Sequence, residues 1–337
     1  MQSKDRSKRA LITSNDVARR ANVSQATVSR VFSNTAQVKP ETISQVLKAA
    51  EELGYRPNAI ARSLTSNKTD MIAVVSVNFD NPFYQTLLIK MAHMVASMGK
   101  KMMFIQSPFE QALDDILYQV MEYQVDGIIV LSAALSSKMA SEFARVRTPL
   151  VVFNKHFDGR NYFSVCSDNI DAGQLVAEHM VQKGYQSFGF ISGDLLKQTS
   201  EFRFRGYTQC LEQHGFKDCI VAAGDYSYRS GYEALLSMRQ KGDLPEAVFC
   251  VNDLMALGAM DAARRELGLR VPEDIAFVGF DDLEQSRWGS YQLTSVQQPI
   301  DEMIEYTKNY LSKKFENADT SGGYMLLKCK LIPRASS

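Results

Sequence analysis

Between Thr13 and Asn34 the apolar residues fall at helical steps, first Val17, Ala18 and Ala21, then Val28 and Val31. Thr13 with Asp16 three residues later has the form of a capping box, which supplies a hydroxyl to an orphan amide and a carboxylate to the positive helix end. Asn22 stands where the chain must reverse, and Asn tolerates the left-handed conformation better than most residues. Ser24 is placed to cap a second helix, whose Val28 and Val31 turn back toward the first. A third helix opens at Pro40-Glu41, carries Ile43, Val46, Leu47, Ala50 and Leu53 on one face, and stops at Gly54. The prediction is a small three-helix module. Pro57 then breaks the chain and Asn58 is placed to cap Ala59 to Leu64, a stretch of barely two turns. A helix that short does not hold in water unaided, so it is expected to form only when something supports it.

From Met71 the periodicity changes. Continuous apolar runs at 71–79, 100–107, 126–132 and 148–154 suit strands buried on both faces of a parallel sheet. Helical stretches at 82–99, 110–124 and 137–146 separate them. The alternation then repeats, with helices at 171–184, 201–214, 230–241 and 254–267 and strands at 187–193, 219–224, 247–253 and 274–282. Two doubly wound α/β units therefore stand in tandem. Ligands in such sheets bind outside the carboxyl ends of the strands, which here places them in a cleft between two lobes.

Charge sharpens this division. The chain of 337 residues has zero formal net charge. Residues 1–68 nevertheless hold twelve Lys and Arg against five Asp and Glu, and the remainder holds 26 against 33. A basic head on an acidic body is the electrostatic footprint of a nucleic-acid-binding module attached to something else. Gln25, Ala26, Thr27, Ser29 and Arg30 lie at the start and outer side of the second helix, where short hydrogen-bonding groups and one long cation suit base edges in a major groove. The competing reading is a helical hairpin whose polar face is merely solvated.

Other chemistries find little support. The five cysteines are widely spaced without a CxxC and read as reduced thiols; the four histidines are scattered and no HExxH occurs. No metal or cofactor is expected. GxGxxG, P-loop and GxSxG motifs are absent, and the acid pairs Asp114-Asp115 and Asp281-Asp282 are only sequence neighbours, so an enzyme is not expected. No apolar run follows the charged N-terminus and none reaches the length of a membrane span, which points to a cytoplasmic protein.

Five separated motifs, SNDVARRANVSQATVSRVFSN, KPETISQVLKAAEELGYRPNAIARSL, VNDLMALGAM, LRVPEDIAFVGFDD and LTSVQQP, resemble the lactose repressor/galactose repressor (LacI/GalR) family of bacterial transcription regulators. The resemblance spans residues 12 to about 333. It implies an N-terminal all-α helix-turn-helix domain over 1–54, a hinge helix and linker over 55–69, and an α/β periplasmic-binding-protein-like body. In that body the resemblance assigns 70–166 with 297–323 to one lobe and 167–296 with 324–337 to the other. It further implies a homodimer on a pseudo-palindromic double-stranded DNA operator, acting as a repressor under a small-molecule effector, by default a sugar or sugar derivative. The alternative is a sugar receptor of the periplasmic-binding-protein type whose N-terminal domain is not its main function.

Carried over by position, the DNA-contacting set is Ser24, Gln25, Ala26, Thr27, Ser29, Arg30, Asn34, Tyr55, Asn58, Ala61 and Leu64. Gln25, Ala26 and Arg30 match base-reading positions, although Gln25 is also consistent with a phosphate contact. Leu64 matches a minor-groove wedge supported by Ala61, unless it docks on the body. The effector set is Phe83, Tyr84, Lys155, Asp168, Thr199, Arg203, Asn252, Asp281 and Trp288. The competing reading for Asp281 is a helix cap or a turn, and for Trp288 the core; Arg203 is preferred over Arg205 by motif alignment. Two departures stand out: Asn22 replaces a frequent Gly, and the C-terminal RASS lacks a leucine heptad, which favours a dimer over a coiled-coil tetramer.

Overall fold

The computed structural model describes residues 12–33, 38–57, 68–76, 81–106, 113–131, 137–156, 162–194, 197–316 and 321–337. Met1–Thr69 and Asp70–Ser337 form two separate compact units. In the first, α1 (Ser14–Arg20), α2 (Gln25–Ser33) and α3 (Pro40–Leu53) follow the expected order. The Thr13 amide and hydroxyl both donate to Asp16 Oδ2, at 2.9 and 2.7 Å. Asn22 adopts φ 51°, the left-handed conformation that reverses the chain between α1 and α2. Ser24 Oγ accepts from the Thr27 amide at 3.1 Å and so caps α2. Val17, Ala18, Ala21, Val28, Val46, Ala49 and Ala50 form the core. The expected α3 face is partly wrong: Leu47 is 49% exposed and Ala49 takes its place inside. In a module this small, the inward stripe is only wide enough for 46, 49, 50 and 53.

The second unit holds two six-stranded sheets. The first has β1 (Met71–Ser76), β2 (Lys101–Gln106), β3 (Gly127–Leu131), β4 (Leu150–Phe153), β5 (Phe163–Ser167) and β11 (Gly323–Leu327), in the order β11-β5-β4-β3-β1-β2. The second has β6 (Phe188–Ser192), β7 (Cys219–Ala223), β8 (Ala247–Cys250), β9 (Ala276–Phe280), β10 (Thr294–Gln297) and β12 (Lys330–Ile332), in the order β12-β10-β9-β8-β6-β7. All pairings are parallel except β10 with β12. Helices α4 (Pro82–Ser97), α5 (Leu113–Glu122), α6 (Ser137–Val146) and α11 (Ile300–Phe315) accompany the first sheet. Helices α7 (Asn169–Gln182), α8 (Gln198–Gln213), α9 (Tyr228–Lys241) and α10 (Asp253–Arg265) accompany the second.

The unbroken apolar runs have a direct cause. Ile72 and Val74 join one core while Ala73 and Val75 join another, so β1 is buried on both faces. The order reverses between β1 and β3 in one sheet and between β6 and β8 in the other, the places where crevices open at the carboxyl ends.

Sequence periodicity does not announce β5, β10, β11 or β12. Within β5 and β10, polar residues sit in fully buried positions and are paired there: Ser164 Oγ donates to the Lys155 carbonyl, Ser167 Oγ to Gln298, and Ser295 Oγ to Asp253. The domain boundary near the C-terminus also shifts. Gly323–Leu327 pairs in parallel with Phe163–Ser167, so 324–327 belong to the first lobe and the chain returns to the second only at Lys328-Cys329. The expected return at 324 was early because β11 must complete a five-residue register before leaving the sheet.

Candidate functional site

Two candidate surfaces stand out, one on each unit. On the first, Ser24, Gln25, Ala26, Ser29 and Arg30 are exposed and Thr27 half-exposed, while Val28 between them is fully buried. The capped end of α2 thus presents a polar face held from behind by the core. Two members of the expected set have additional local roles. Gln25 Nε2 donates to Ser14 Oγ at 3.3 Å, so this side chain is tied to α1. Tyr55 packs its ring 5.7 Å from Phe32 and joins the core, and is half-buried. Asn34, Asn58, Ala61 and Leu64 lie outside the described residues.

On the second unit, the centre is Arg203, only 3% exposed. Its Nε donates to Asn169 Oδ1 at 2.9 Å, its Nη1 donates to the Val251 carbonyl, and its guanidinium carbon stacks 3.3 Å from the centroid of Phe280. These bonds use two of five donors and fix the plane of the fork. Burial pulls the Arg203 pKa down and Asp281 opposes that most strongly. Asp281 follows β9 with φ 118°, accepts from Gln298 Nε2 at 2.7 Å, and is reached by the Asn81 side chain from the first lobe. Burial raises its carboxyl to about 7, with Arg203 acting against it and Asp253 with it. Asp281 therefore touches both lobes and one of the crossings between them.

Around this pair the expected residues divide. Tyr84 reaches it: its phenol bears electrostatically on both Arg203 and Tyr226. Phe83 does not, since it is 6% exposed, belongs to the first-lobe core and supports Tyr84 edge-on at 5.1 Å. Asn252 caps α10 by accepting from the Met255 amide and donates to the Tyr226 carbonyl, each at 2.9 Å. It places Tyr226 and keeps one donor and one lone pair in hand. Asp168 spends its carboxylate capping α7 through the Asp171 amide at 3.1 Å, and its neighbour Asn169 is the residue that meets Arg203. Lys155 is half-buried after β4, and burial followed by the nearby Lys197 charge lowers its pKa. Thr199 is half-buried in the first turn of α8. Trp288 is 52% exposed after a short 3-10 helix (Glu284–Arg287), and the ring at the cluster is Tyr226 instead.

Sequence reasoning missed Asn81, Asn169, Lys197, Ser200, Tyr226 and Gln298. Each lies just beyond a strand or at a helix start, so position at the carboxyl edge was the available signal. A groove of about 600 Å³ shares Asp281 and Gln298 with the cluster and runs on past Thr86, Lys90, Arg287 and Asp301 toward the crossings. Among the described residues, Glu178, Cys210 and His214 bring metal-ligand atoms within 4.8 Å of one another, toward the C-terminal ends of α7 and α8. That grouping forms across two helices and includes the 2.8 Å His214–Glu178 pair.

Similarity to known proteins follows the same two-part division. Residues 13–58 match the bacterial regulatory proteins of the lacI family, and residues 177–337 match the periplasmic binding protein-like domain. The chain is 34% identical over 314 residues to catabolite control protein A of Priestia megaterium, covering 92% of this chain and 94% of that one. The lac repressor dimer bound to operator and the anti-inducer ONPF superposes with a TM-score of 0.86 at 26% identity, covering 97% and 99% of the two chains. The transcriptional regulator CelR in complex with cellobiose gives 0.73 at 27% identity, covering 97% and 100%. The chain belongs to the lacI family of bacterial regulatory proteins.

Proposed function

We propose that this chain is a transcriptional repressor whose α2 reads operator bases and whose two-lobed body responds to a small molecule bound at Arg203 and Asp281. The family is one of transcriptional regulators rather than enzymes. The observation that carries the reading is the pairing of an exposed, capped α2 N-terminus with a buried Arg203–Asp281 pair at the carboxyl edge of β9. The first is built to reach DNA, the second to hold a polyhydroxyl ligand through donors and an acceptor fixed in advance.

In the mechanism, two copies set two α2 helices in successive major grooves of a pseudo-palindrome. A sugar or sugar derivative engages Asp281 and Arg203. Because Asp281 also meets Asn81 of the other lobe, ligand contacts there compete with an inter-lobe contact and shift the angle between the lobes. That shift alters how the two copies present their DNA-binding units. Among the described residues, no helix is long and apolar enough to cross a membrane, and we place the regulator in the cytoplasm with its DNA. The decisive experiment selects sequences from a random duplex library with the full chain, then measures gel retardation with and without metabolites. An inverted repeat should be enriched over competitor, and one ligand class should change its retention. Ligand binding without any sequence preference would instead support a receptor whose N-terminal unit is incidental.

A further inference from the structure

Glu178, Cys210 and His214 stand apart from both α2 and the Arg203–Asp281 cluster, and neither the DNA nor the small-molecule reading uses them. Gly206, Cys210 and His214 follow one another at four-residue steps along α8 and its C-cap, so they share the face turned toward α7. The backbone of Gly206 abuts that of Ile170 directly, which fixes the distance between the two helices. Glu178 lies two turns beyond Ile170 on α7, as His214 lies two turns beyond Gly206. The helices therefore run side by side in the same direction, and their C-terminal ends arrive together.

At that end Glu178 Oε2 lies 2.8 Å from His214 Nε2 and 3.8 Å from Cys210 Sγ, and the three ligand atoms all fall within 4.8 Å of one another. Zinc in a tetrahedral site holds such atoms at about 2.0–2.3 Å, which sets them roughly 3.3–3.7 Å apart. The observed spacings bracket that range, so small side-chain movements close a three-ligand site. Further features favour a cation. Glu178 Oε1 accepts from Gln182 Nε2 at 2.8 Å, the kind of outer bond that orients a ligating carboxylate. Two helix C-termini converge with their negative dipole ends. Among the described residues no lysine or arginine pairs with Glu178, whose ion-pair partner is His214. Cys210 forms a buried floor, while the Glu178 and His214 side chains are 44% and 37% exposed and leave a way in from solvent.

We propose that Glu178, Cys210 and His214 bind one zinc ion per chain, with water in the fourth position. A thiolate, an imidazole and a carboxylate suit zinc, whereas magnesium and calcium take oxygen ligands. On binding, the Cys210 thiol proton leaves to solvent and the metal takes the place of the hydrogen between His214 and Glu178. The ion ties together the far ends of the two helices that carry Asn169 and Arg203. Cys210 and His214 are one helical turn apart in sequence, but Glu178 comes from the preceding helix, so motif reading passes over the set.

Cobalt(II) titration of the untagged, reduced full chain tests this, because cobalt in a zinc site reports a thiolate ligand as a charge-transfer band and a tetrahedral field as strong visible absorption. The parent should take up one cobalt per chain with both signatures, and one equivalent of zinc should displace it. C210S should lose the charge-transfer band. H214Q and E178Q change surface side chains and leave the core intact. Each should weaken zinc by about tenfold or more in competition with a chromophoric chelator, since loss of an outer-shell partner alone costs about that much. Failure of the parent to take zinc from the chelator or to show the cobalt bands overturns the proposal. So does a charge-transfer band that survives C210S, or a zinc affinity unchanged in both H214Q and E178Q, either of which places the metal on other residues.

Discussion

Arg203 and Asp281 show how much a single side chain can be asked to do. The carboxyl of Asp281 sits at about 7 through burial, against an ordinary 3.8. Between those values the folded chain keeps a proton that the unfolded chain has lost. Stability of the body therefore declines as pH rises from about 4 to about 7 and levels off above. Asp281→Asn removes that titration. Its melting temperature should climb relative to the parent between pH 5 and pH 7, and parallel melting curves would place the buried charge elsewhere. On the DNA side, Arg30 is exposed on α2 and has the length to grip guanine O6 and N7. Arg30→Ala should cost about 1–3 kcal/mol at one base position per half-site and relax preference there, as read by competition against single-base operator variants. Arg203, Asn252 and Asp281 were legible as candidates because each stands in a contiguous motif. Sequence could not separate Phe83 from Tyr84, since both are aromatic and adjacent, and only the burial of one and the electrostatic reach of the other to Arg203 distinguish them.

The elements that position these residues depend on close helix packing. Gly206 on α8 faces α7 so tightly that an added Cβ would stand 2.0 Å from the Ile170 carbonyl oxygen, and Gly173 on α7 would meet the Arg203 carbonyl at 2.3 Å. Every near neighbour at Gly206 is backbone, so no side chain can swing aside. Gly206→Ala should push the helices apart and cost about 1–3 kcal/mol, with Arg203 drawn away from Asn169. Chemical denaturation would show the stability loss, and ligand titration would show weaker binding than the stability change alone explains. Unchanged affinity in a destabilised chain would mean that Arg203 does not rely on this interface. The long helices and apolar strands were legible from periodicity, since burial on both faces leaves an unbroken apolar run. The short strands were not: Ser164, Ser167, Thr294 and Ser295 are polar residues buried with partners, and for Ser167, Thr294 and Ser295 those partners come from distant segments.

Charge is divided across the whole chain as the function requires. The first 68 residues carry a surplus of seven positive charges and the rest a surplus of seven negative ones. The acidic unit repels duplex at long range, so it cannot supply the sequence-independent part of binding, which must come from the basic unit. Each phosphate neutralised releases condensed counterion, and a dimer brings two basic units to one site. Operator affinity should therefore fall on the order of 10³-fold or more between 50 and 200 mM salt, linearly on logarithmic axes, as for proteins with six to ten phosphate contacts. The fragment Asp70–Ser337 is a compact unit with its own apolar clusters. It should unfold cooperatively, keep the ligand-dependent rise in melting temperature, and show no retention of duplex at any salt concentration. Fluorescence anisotropy of both chains on one labelled operator gives the comparison. Measurable duplex binding by the fragment, or a flat salt response of the full chain, would mean that DNA contact is not confined to the basic head, and the division of labour between the two units would have to be redrawn.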